Sequence, residues 1–326
     1  MRLSVVIPAH NAAADLPFLL AALLPQLLRE EECILVDDAS EDDTCTVARQ
    51  RGVEVLVLPN RRGPAAARNH GAQFVTGDII LFLDADVVPH DDLLRRVRDC
   101  MGGSCEYSAV IGSYDRSPYV QTTVSRFRNL LHSYTHHNGN PEASTFWGGC
   151  GAIRRADFLE IGGFDAAKFS IPSIEDIDMG MRLKREGKRI LLDPCLLIQH
   201  RKKWTLWSML RTDLHQRAIP WTLLLLSAGE MPRDLNLKWS QRVSGVFTVA
   251  ACIAFLMLPW FPRTALGTSG VGFFLVLVLN WSLYRFLAEC GGWWFAIRCF
   301  PVHLAYFVCS VIGFAIANVQ FRLLSR

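Results

Sequence analysis

Asp84-Ala85-Asp86 ends an apolar run, Ile79-Ile80-Leu81-Phe82-Leu83. Two carboxylates one residue apart, at the end of a buried strand, make a hard oxygen site. Mg²⁺ and Mn²⁺ prefer such ligands and commonly carry the phosphates of a nucleotide with them. Open α/β sheets place ligands at the carboxyl ends of their strands. An isolated Asp-x-Asp is often only a turn cap, so the reading depends on partners. Asp37-Asp38 closes a second apolar run, Cys33 to Val36. It suits a ribose hydroxyl or a base edge, or a helix cap beside Ser40, and both roles are compatible. The segment Asn60 to Asn69 includes Gly63, Pro64 and Arg68. A helix N-terminus with arginines suits an anion, although Pro64 at the first turn of a solvated basic helix explains it equally. Glu175-Asp176-Ile177-Asp178 either complements a helix dipole or supplies a general base. His200 is a candidate third ligand beside Asp84 and Asp86.

These groups need a scaffold, and the chain spells one out. Leu3 to Ile7, Cys33 to Val36, Val53 to Leu58 and Ile79 to Leu83 read as strands. Ala14 to Leu28, Glu41 to Arg51 and Pro64 to Phe74 read as the helices between them, with Ser40 capping the second. Strand and helix alternate at βαβ spacing, which predicts an α/β fold with a mostly parallel sheet. Further on, Pro118 to His137, Arg155 to Ile161 and Asp176 to Glu186 read as helices, and Arg189 to Leu192 as a strand. Trp147 to Gly151 reads as a loop.

The chain has 326 residues and a formal net charge of +3, too small to argue for nucleic acid. Its C-terminal third changes the class. Val243 to Phe261, Val271 to Tyr284 (extendable back to Leu266) and Val302 to Val319 carry no charge. About 20 apolar residues cross a bilayer as a helix. Trp260, Trp281, Trp293 and Trp294 stand near the ends of these runs, as interfacial anchors do. The expected organisation is a nucleotide-handling domain over 1–230 and a membrane domain over 231–326 with about three transmembrane helices. Residues 200–230 form an interfacial segment in which Arg201, Gln216, Arg217 and Trp221 could meet a lipid phosphate. Leu3 to Ile7 is too short for a signal peptide. Arg233, Lys238 and Arg242 precede the first span, so the N-terminal part is expected on the cytoplasmic face of the inner (plasma) membrane. Ten cysteines without a Cys-x-x-Cys pair fit a reducing compartment, and Cys100 with Cys105 makes no zinc site.

Taken in order, the motifs resemble the family 2 glycosyltransferases, which have the GT-A fold. They are Val5-Val6-Ile7-Pro8-Ala9-His10-Asn11, Val36-Asp37-Asp38-Ala39-Ser40, Asn60-x-x-Gly63-x-Ala65-x-Ala67-Arg68-Asn69-x-Gly71 and Phe82-Leu83-Asp84-Ala85-Asp86. Gly149-x-Gly151-x-x-Arg154-Arg155, Gly162-Gly163-Phe164-Asp165 and Glu175-Asp176-x-Asp178-x-x-x-Arg182-Leu183 follow. The resemblance implies that Pro8, Ala9, Asn11, Asp37, Asp38, Gly63, Arg68, Asp84 and Gly149 hold a nucleoside diphosphate sugar, a UDP-sugar being favoured. It implies Mg²⁺ or Mn²⁺ at Asp86, Asp176 as the base with Glu175 beside it, and inversion at the anomeric carbon. The usual Tyr-Asn-Glu of such enzymes is His10-Asn11-Ala12 here, and Gln216-Arg217-Ala218-Ile219-Pro220-Trp221 only echoes the Gln-x-x-Arg-Trp of processive synthases. One sugar moved to a lipid or polyprenyl phosphate acceptor is therefore the expected activity. A polysaccharide synthase subunit and an inactive nucleotide-binding membrane scaffold are the alternatives.

Overall fold

The computed structural model describes residues 1–103, 106–229 and 238–324. Arg233, Cys105 and Arg326 lie outside them. The chain forms two compact units. One comprises Met1–Tyr119 and His136–Lys202, the other Val120–Thr135 and Lys203–Arg326. The segment from Lys203 packs with the apolar helices in the second unit.

In the first unit, β1 (Leu3–Ala9), β2 (Glu32–Asp37), β3 (Glu54–Val57) and β4 (Ile79–Leu83) run parallel in the order β3-β2-β1-β4. Helices α1 (Leu16–Leu23), α2 (Thr44–Gln50) and α3 (Pro64–Phe74) connect them. β1 and β4 are buried at every position, as strands covered on both faces must be. Their apolar runs carry no period-two alternation for that reason. The α2 helix begins at Thr44, and Ser40 does not cap it; the Ser40 hydroxyl accepts from Asn11 N at 2.9 Å instead.

The sheet continues with elements that have no strong local signal. β5 (Val87–Pro89), β6 (Ala109–Tyr114), β7 (Cys150–Arg154) and β8 (Ile190–His200) complete the order β3-β2-β1-β4-β7-β6-β8-β5. β7 is antiparallel to both β4 and β6, while β6 and β8 are parallel. The expected loop at Cys150 is therefore a strand, and the short strand expected at Arg189 to Leu192 is an eleven-residue one. Helices α4 (Leu93–Met101), α5 (Thr123–His137), α6 (Arg155–Glu160) and α7 (Glu175–Arg185) complete this half of the chain.

The second unit holds most of α5, then α8 (Leu206–Thr212), a π-helical turn (Asp213–Ala218), α9 (Ile219–Ala228), α10 (Trp239–Leu256), α11 (Pro262–Leu279) and α12 (Trp281–Leu324). The last three are long and apolar enough to cross a membrane, with mean hydropathy of 1.3, 1.4 and 2.0. α12 breaks at Gly292. The outward side chains of these helices are large and apolar, Val246, Phe255, Leu266 and Phe274 among them. Water would be a poor solvent for such a surface, and hydrocarbon a good one. Polar groups turn inward: Asn280 donates to Ser244 Oγ at 2.8 Å, and Gln241 donates to Asn280 Oδ1 at 3.0 Å. Small residues at Gly272 and Ala251 let α10 and α11 approach closely, as membrane helices do.

α7 is fixed to the body of its unit by close backbone approach. A Cβ on Gly180 would stand 2.0 Å from the Phe146 amide nitrogen. Gly180→Ala is expected to displace α7 and cost about 1–3 kcal/mol, the usual range for overpacking. Thermal unfolding of the full chain should show a midpoint several degrees lower; an unchanged midpoint would mean that the backbone at Thr145 and Phe146 yields freely.

Candidate active site

Arg68 is the centre of the site. It projects from α3 and is 4% exposed. One guanidinium nitrogen donates to Asp84 Oδ1 at 2.7 Å, the other to Glu175 Oε1 at 2.9 Å. The end of β4, the middle of α3 and the start of α7 therefore meet at one cation. Phe164 lies against the guanidinium at 5.4 Å. Gly148 has no side chain because a Cβ there would stand 2.9 Å from the guanidinium carbon. Glu175 spends its second oxygen on Ser173 N at 2.9 Å.

Asp176 is the neighbour left without a cationic partner of its own. Among the described residues its oxygens accept from Gly148 N at 3.1 Å and Ile177 N at 2.8 Å. Burial, then the charge of Glu175, push its carboxyl up to about 7; the two amide bonds and Arg68 pull weakly the other way. Glu175 and Asp176 adjoin in sequence, yet one is bound to Arg68 and the other is a carboxyl raised toward neutrality. Such splitting of adjacent carboxylates is how acid–base roles are assigned.

Asp84 and Asp86 split in the same way. Burial raises the Asp84 carboxyl above its ordinary value, with Asp86 and Glu175 adding to the rise and Arg68 opposing it. Burial also pushes Asp86 up, but the His200 imidazole beside it and Lys202 prevail and hold it below its ordinary value. His200 Nε2 lies 3.4 Å from Asp86 Oδ2. β5 and β8 pair Val87 with His200, and Arg201 N donates to the Asp86 carbonyl at 2.9 Å. Among the described residues no three His, Cys, Asp or Glu side chains gather as a complete cation site. One Asp84 oxygen, Oδ1, is bonded to Arg68. Asp86 and His200 remain as an oxygen and a nitrogen donor, chemistry that fits Mg²⁺ or Mn²⁺ when phosphate and water supply the other ligands.

The first two loops are tied together. Asp38 accepts from Arg62 N at 2.6 Å and Gly63 N at 2.8 Å, so both its oxygens hold the approach to α3. That occupies the residue expected to contact base or ribose. Asp37, 2% exposed, accepts from Ser40 N through Oδ2, while Oδ1 is buried without a hydrogen-bond partner. Asn11, at a positive φ of 53°, accepts from Glu41 N, and His10 Nδ1 donates to the Asp38 carbonyl. Pro8 and Ala9 pair with Val36 and Asp37 at the strand ends. The Gly149 carbonyl accepts from Asp84 N at 3.3 Å.

Arg201 is not available to a lipid phosphate. Its Nε donates to Asp15 at 2.7 Å, and its guanidinium lies over the rings of Phe18 and Tyr119 at 3.7 and 3.9 Å. Gln216, Arg217 and Trp221 belong to the second unit, Gln216 and Arg217 on the π-helical turn and Trp221 on α9. Arg217 lies 3.7 Å from Asp213. Two residues the motifs do not point to complete the first unit's site. The Tyr114 ring stacks on His200 at 4.6 Å and 8°, and Trp147 packs edge-on against Tyr114 at 5.0 Å. These contacts join three separate chain segments, so no local pattern announces them.

Replacing Arg68 by alanine would strand the buried Glu175 carboxylate and take the cation from the half-exposed Asp84. The expected loss is about 3–5 kcal/mol of stability. Denaturant titration of the solubilised full chain measures it; a loss below 1 kcal/mol would show that Asp84 and Glu175 are satisfied without it.

Residues 4–162 match the model of glycosyl transferase family 2. A pre-mycofactocin glycosyltransferase of Mycobacterium tuberculosis is 31% identical over 209 residues, 60% of this chain and 42% of that protein. An undecaprenyl-phosphate 4-deoxy-4-formamido-L-arabinose transferase of Photorhabdus laumondii is 37% identical over 112 residues, 31% of this chain and 34% of that protein. The chain thus spans less than half the length of these curated relatives. Among solved structures, a mannosyltransferase of Pyrobaculum calidifontis in complex with GDP-mannose and Mn²⁺ superposes with a TM-score of 0.59 at 18% identity, covering 96% of this chain and 86% of that one. Residues 4–162, Arg68 and Asp84 among them, thus form a family 2 glycosyltransferase domain, built on the GT-A fold.

Proposed function

We propose that this protein moves one sugar from a nucleoside diphosphate sugar to a hydroxyl of a lipid-borne acceptor at a membrane surface, with inversion. The observation that carries the reading is the contrast between Glu175, locked to Arg68, and Asp176, whose carboxyl sits at about 7. A base matched to neutral pH gives general-base catalysis its best compromise of ionisation and driving force. Asp176 takes the acceptor proton as the acceptor oxygen bonds to the anomeric carbon. The bond from that carbon to the phosphate oxygen breaks, and the nucleoside diphosphate leaves with the electron pair. Asp86 and His200 would hold Mg²⁺ or Mn²⁺, which supplies Lewis-acid neutralisation of the diphosphate. The unpartnered Asp37 oxygen accepts an N–H or O–H of the nucleoside, which removes the cost of leaving it buried and bare. A UDP-sugar, whose uracil offers one ring N–H, is the first donor to test; GDP-mannose, the ligand of the Pyrobaculum neighbour, is the second.

The lipid acceptor is supported by the three apolar helices and by the relative named for undecaprenyl phosphate. Lys238 caps the start of α10 and Arg242 lies in its first turn, which by the positive-inside rule supports a cytoplasmic sugar-transfer unit at the inner membrane. The unit boundaries proposed for function are the transfer domain before Lys203 and the membrane-associated part after it.

Purified protein with Mn²⁺ or Mg²⁺, a panel of sugar nucleotides and a lipid extract should yield a singly glycosylated lipid. Asp86→Ala and Asp176→Asn should each lower kcat by about 10²–10⁴-fold, the range of a lost acid–base or charge-stabilising group. Full activity in both would falsify the site, and long polymer would assign the chain to polysaccharide synthesis. For a hydroxyl acceptor the base must be ionised, so the rate falls as pH drops through about 7. A pH-independent rate across that range would point to a phosphate oxygen as nucleophile, already anionic. Orientation has its own readout. Cys195 is exposed in the first unit, so a membrane-impermeant maleimide should label it in inverted vesicles and spare it in intact spheroplasts. Labelling in spheroplasts, absent in Cys195→Ser, would reverse the orientation.

A further inference from the structure

The second unit contains a cavity of about 460 Å³ that the sugar-transfer site does not use. Its surface is almost wholly apolar. Trp207, Leu210 and Leu214 line one side, from α8 and the π-helical turn, and Leu304, Ala305 and Val308 of α12 line the other. Arg211 and His215 also border it. They are four residues apart on one helical face, both exposed, and among the described residues neither makes a hydrogen bond or ion pair. The helix carrying them is held in place by a buried ion pair, Arg128 to Asp213 Oδ1 at 2.8 Å. The π-helical geometry begins at that aspartate, and such turns are frequent at functional sites.

We propose that this cavity seats a segment of the single hydrocarbon chain of a polyprenyl-type lipid, and that Arg211 and His215 hold the phosphate at its head. The argument is complementarity. An apolar hollow of this size falls in the range of ligand sites, about 300–1,000 Å³. It takes a length of one chain more readily than the two chains of a membrane phospholipid. Two cationic or hydrogen-bond-donating side chains at its border, with no protein partner, match an anionic head, and arginine does so through charge-assisted bonds. Sequence position alone pointed to Arg201 and Arg217, but Arg201 is buried against Asp15 and two rings, and Arg217 faces Asp213. The inference goes beyond the transfer reading above and does not need this lipid, which carries no free hydroxyl, to be the acceptor.

The test is binding without any sugar nucleotide. Native mass spectrometry of the detergent-released full chain is run with a long-chain polyprenyl monophosphate, the matching uncharged polyprenol, phosphatidylglycerol and inorganic phosphate. One polyprenyl phosphate should bind per chain. The polyprenol and phosphatidylglycerol should bind at least tenfold more weakly, and millimolar inorganic phosphate should not displace the lipid. Arg211→Glu with His215→Ala should weaken binding at least tenfold, and Val308→Trp, which fills the hollow, should abolish it. Because Val308→Trp could disturb the helices, the exposed Arg211→Glu change decides the matter if the unfolding midpoint of Val308→Trp falls. Unchanged binding in the Arg211 and His215 variant, or equal binding of phosphatidylglycerol, would overturn the proposal. Asp176→Asn should bind the lipid normally. Lipid bound without sugar transfer would therefore sink the transfer reading alone, and transfer without site-dependent binding would sink this one alone.

Discussion

A single buried guanidinium organises the sugar-transfer unit. Removing Arg68 from water is costly, and only the two carboxylates that meet it make the burial tolerable. In return the cation fixes three pieces of chain that are distant in sequence: the end of β4, the middle of α3 and the start of α7. It also decides which acids are spent. Asp84 and Glu175 each give an oxygen to Arg68, whereas their neighbours Asp86 and Asp176 do not. Each pair then diverges, Asp86 below its ordinary pKa through His200 and Asp176 above through burial. Four acids of two residue types thus acquire distinct roles from position alone.

The nucleotide edge is built on the same economy. Asp38 gives both oxygens to the amides of Arg62 and Gly63, which sets the entry to α3 and hence the place of Arg68. Asn11, Ser40 and Glu41 interlock the loops after β1 and β2. These bonds satisfy backbone groups that would otherwise be stranded where strands end and helices have not begun. At these loops Asp37 Oδ1 is left buried without a hydrogen-bond partner.

The second unit obeys different rules, those of a surface suited to hydrocarbon rather than to water. Apolar side chains face outward, polar ones pair inward, and small residues bring helices together. Two arrangements of charged groups there contrast. Arg128 and Asp213 are buried and paired, whereas Arg211 and His215 stand exposed at the border of an apolar hollow. The first arrangement is structural. The second leaves charge open to a partner from outside the protein.

The parallel half of the sheet was legible in the sequence because its signals are local: unbroken apolar strands, a proline at the first turn of α3, acidic pairs at strand ends. α3 and β4 fall on the residues the pattern indicates, Pro64–Phe74 and Ile79–Leu83. The three apolar helices were equally legible, since hydropathy needs no tertiary partner. The strands β5, β6 and β7 were not, because they are short and stabilised by neighbours far along the chain. The candidate residues could be named from types and spacing, but their division of labour could not. Whether Asp84 or Asp86, Glu175 or Asp176, Arg201 or Arg211 is left unpaired depends on which cation or ring folds against it. Residue identity and order therefore determined which groups this protein has and on which elements they ride. Only the tertiary structure decided which of them are spent on holding the fold and which stay open, because partnering and burial are properties of neighbours in space.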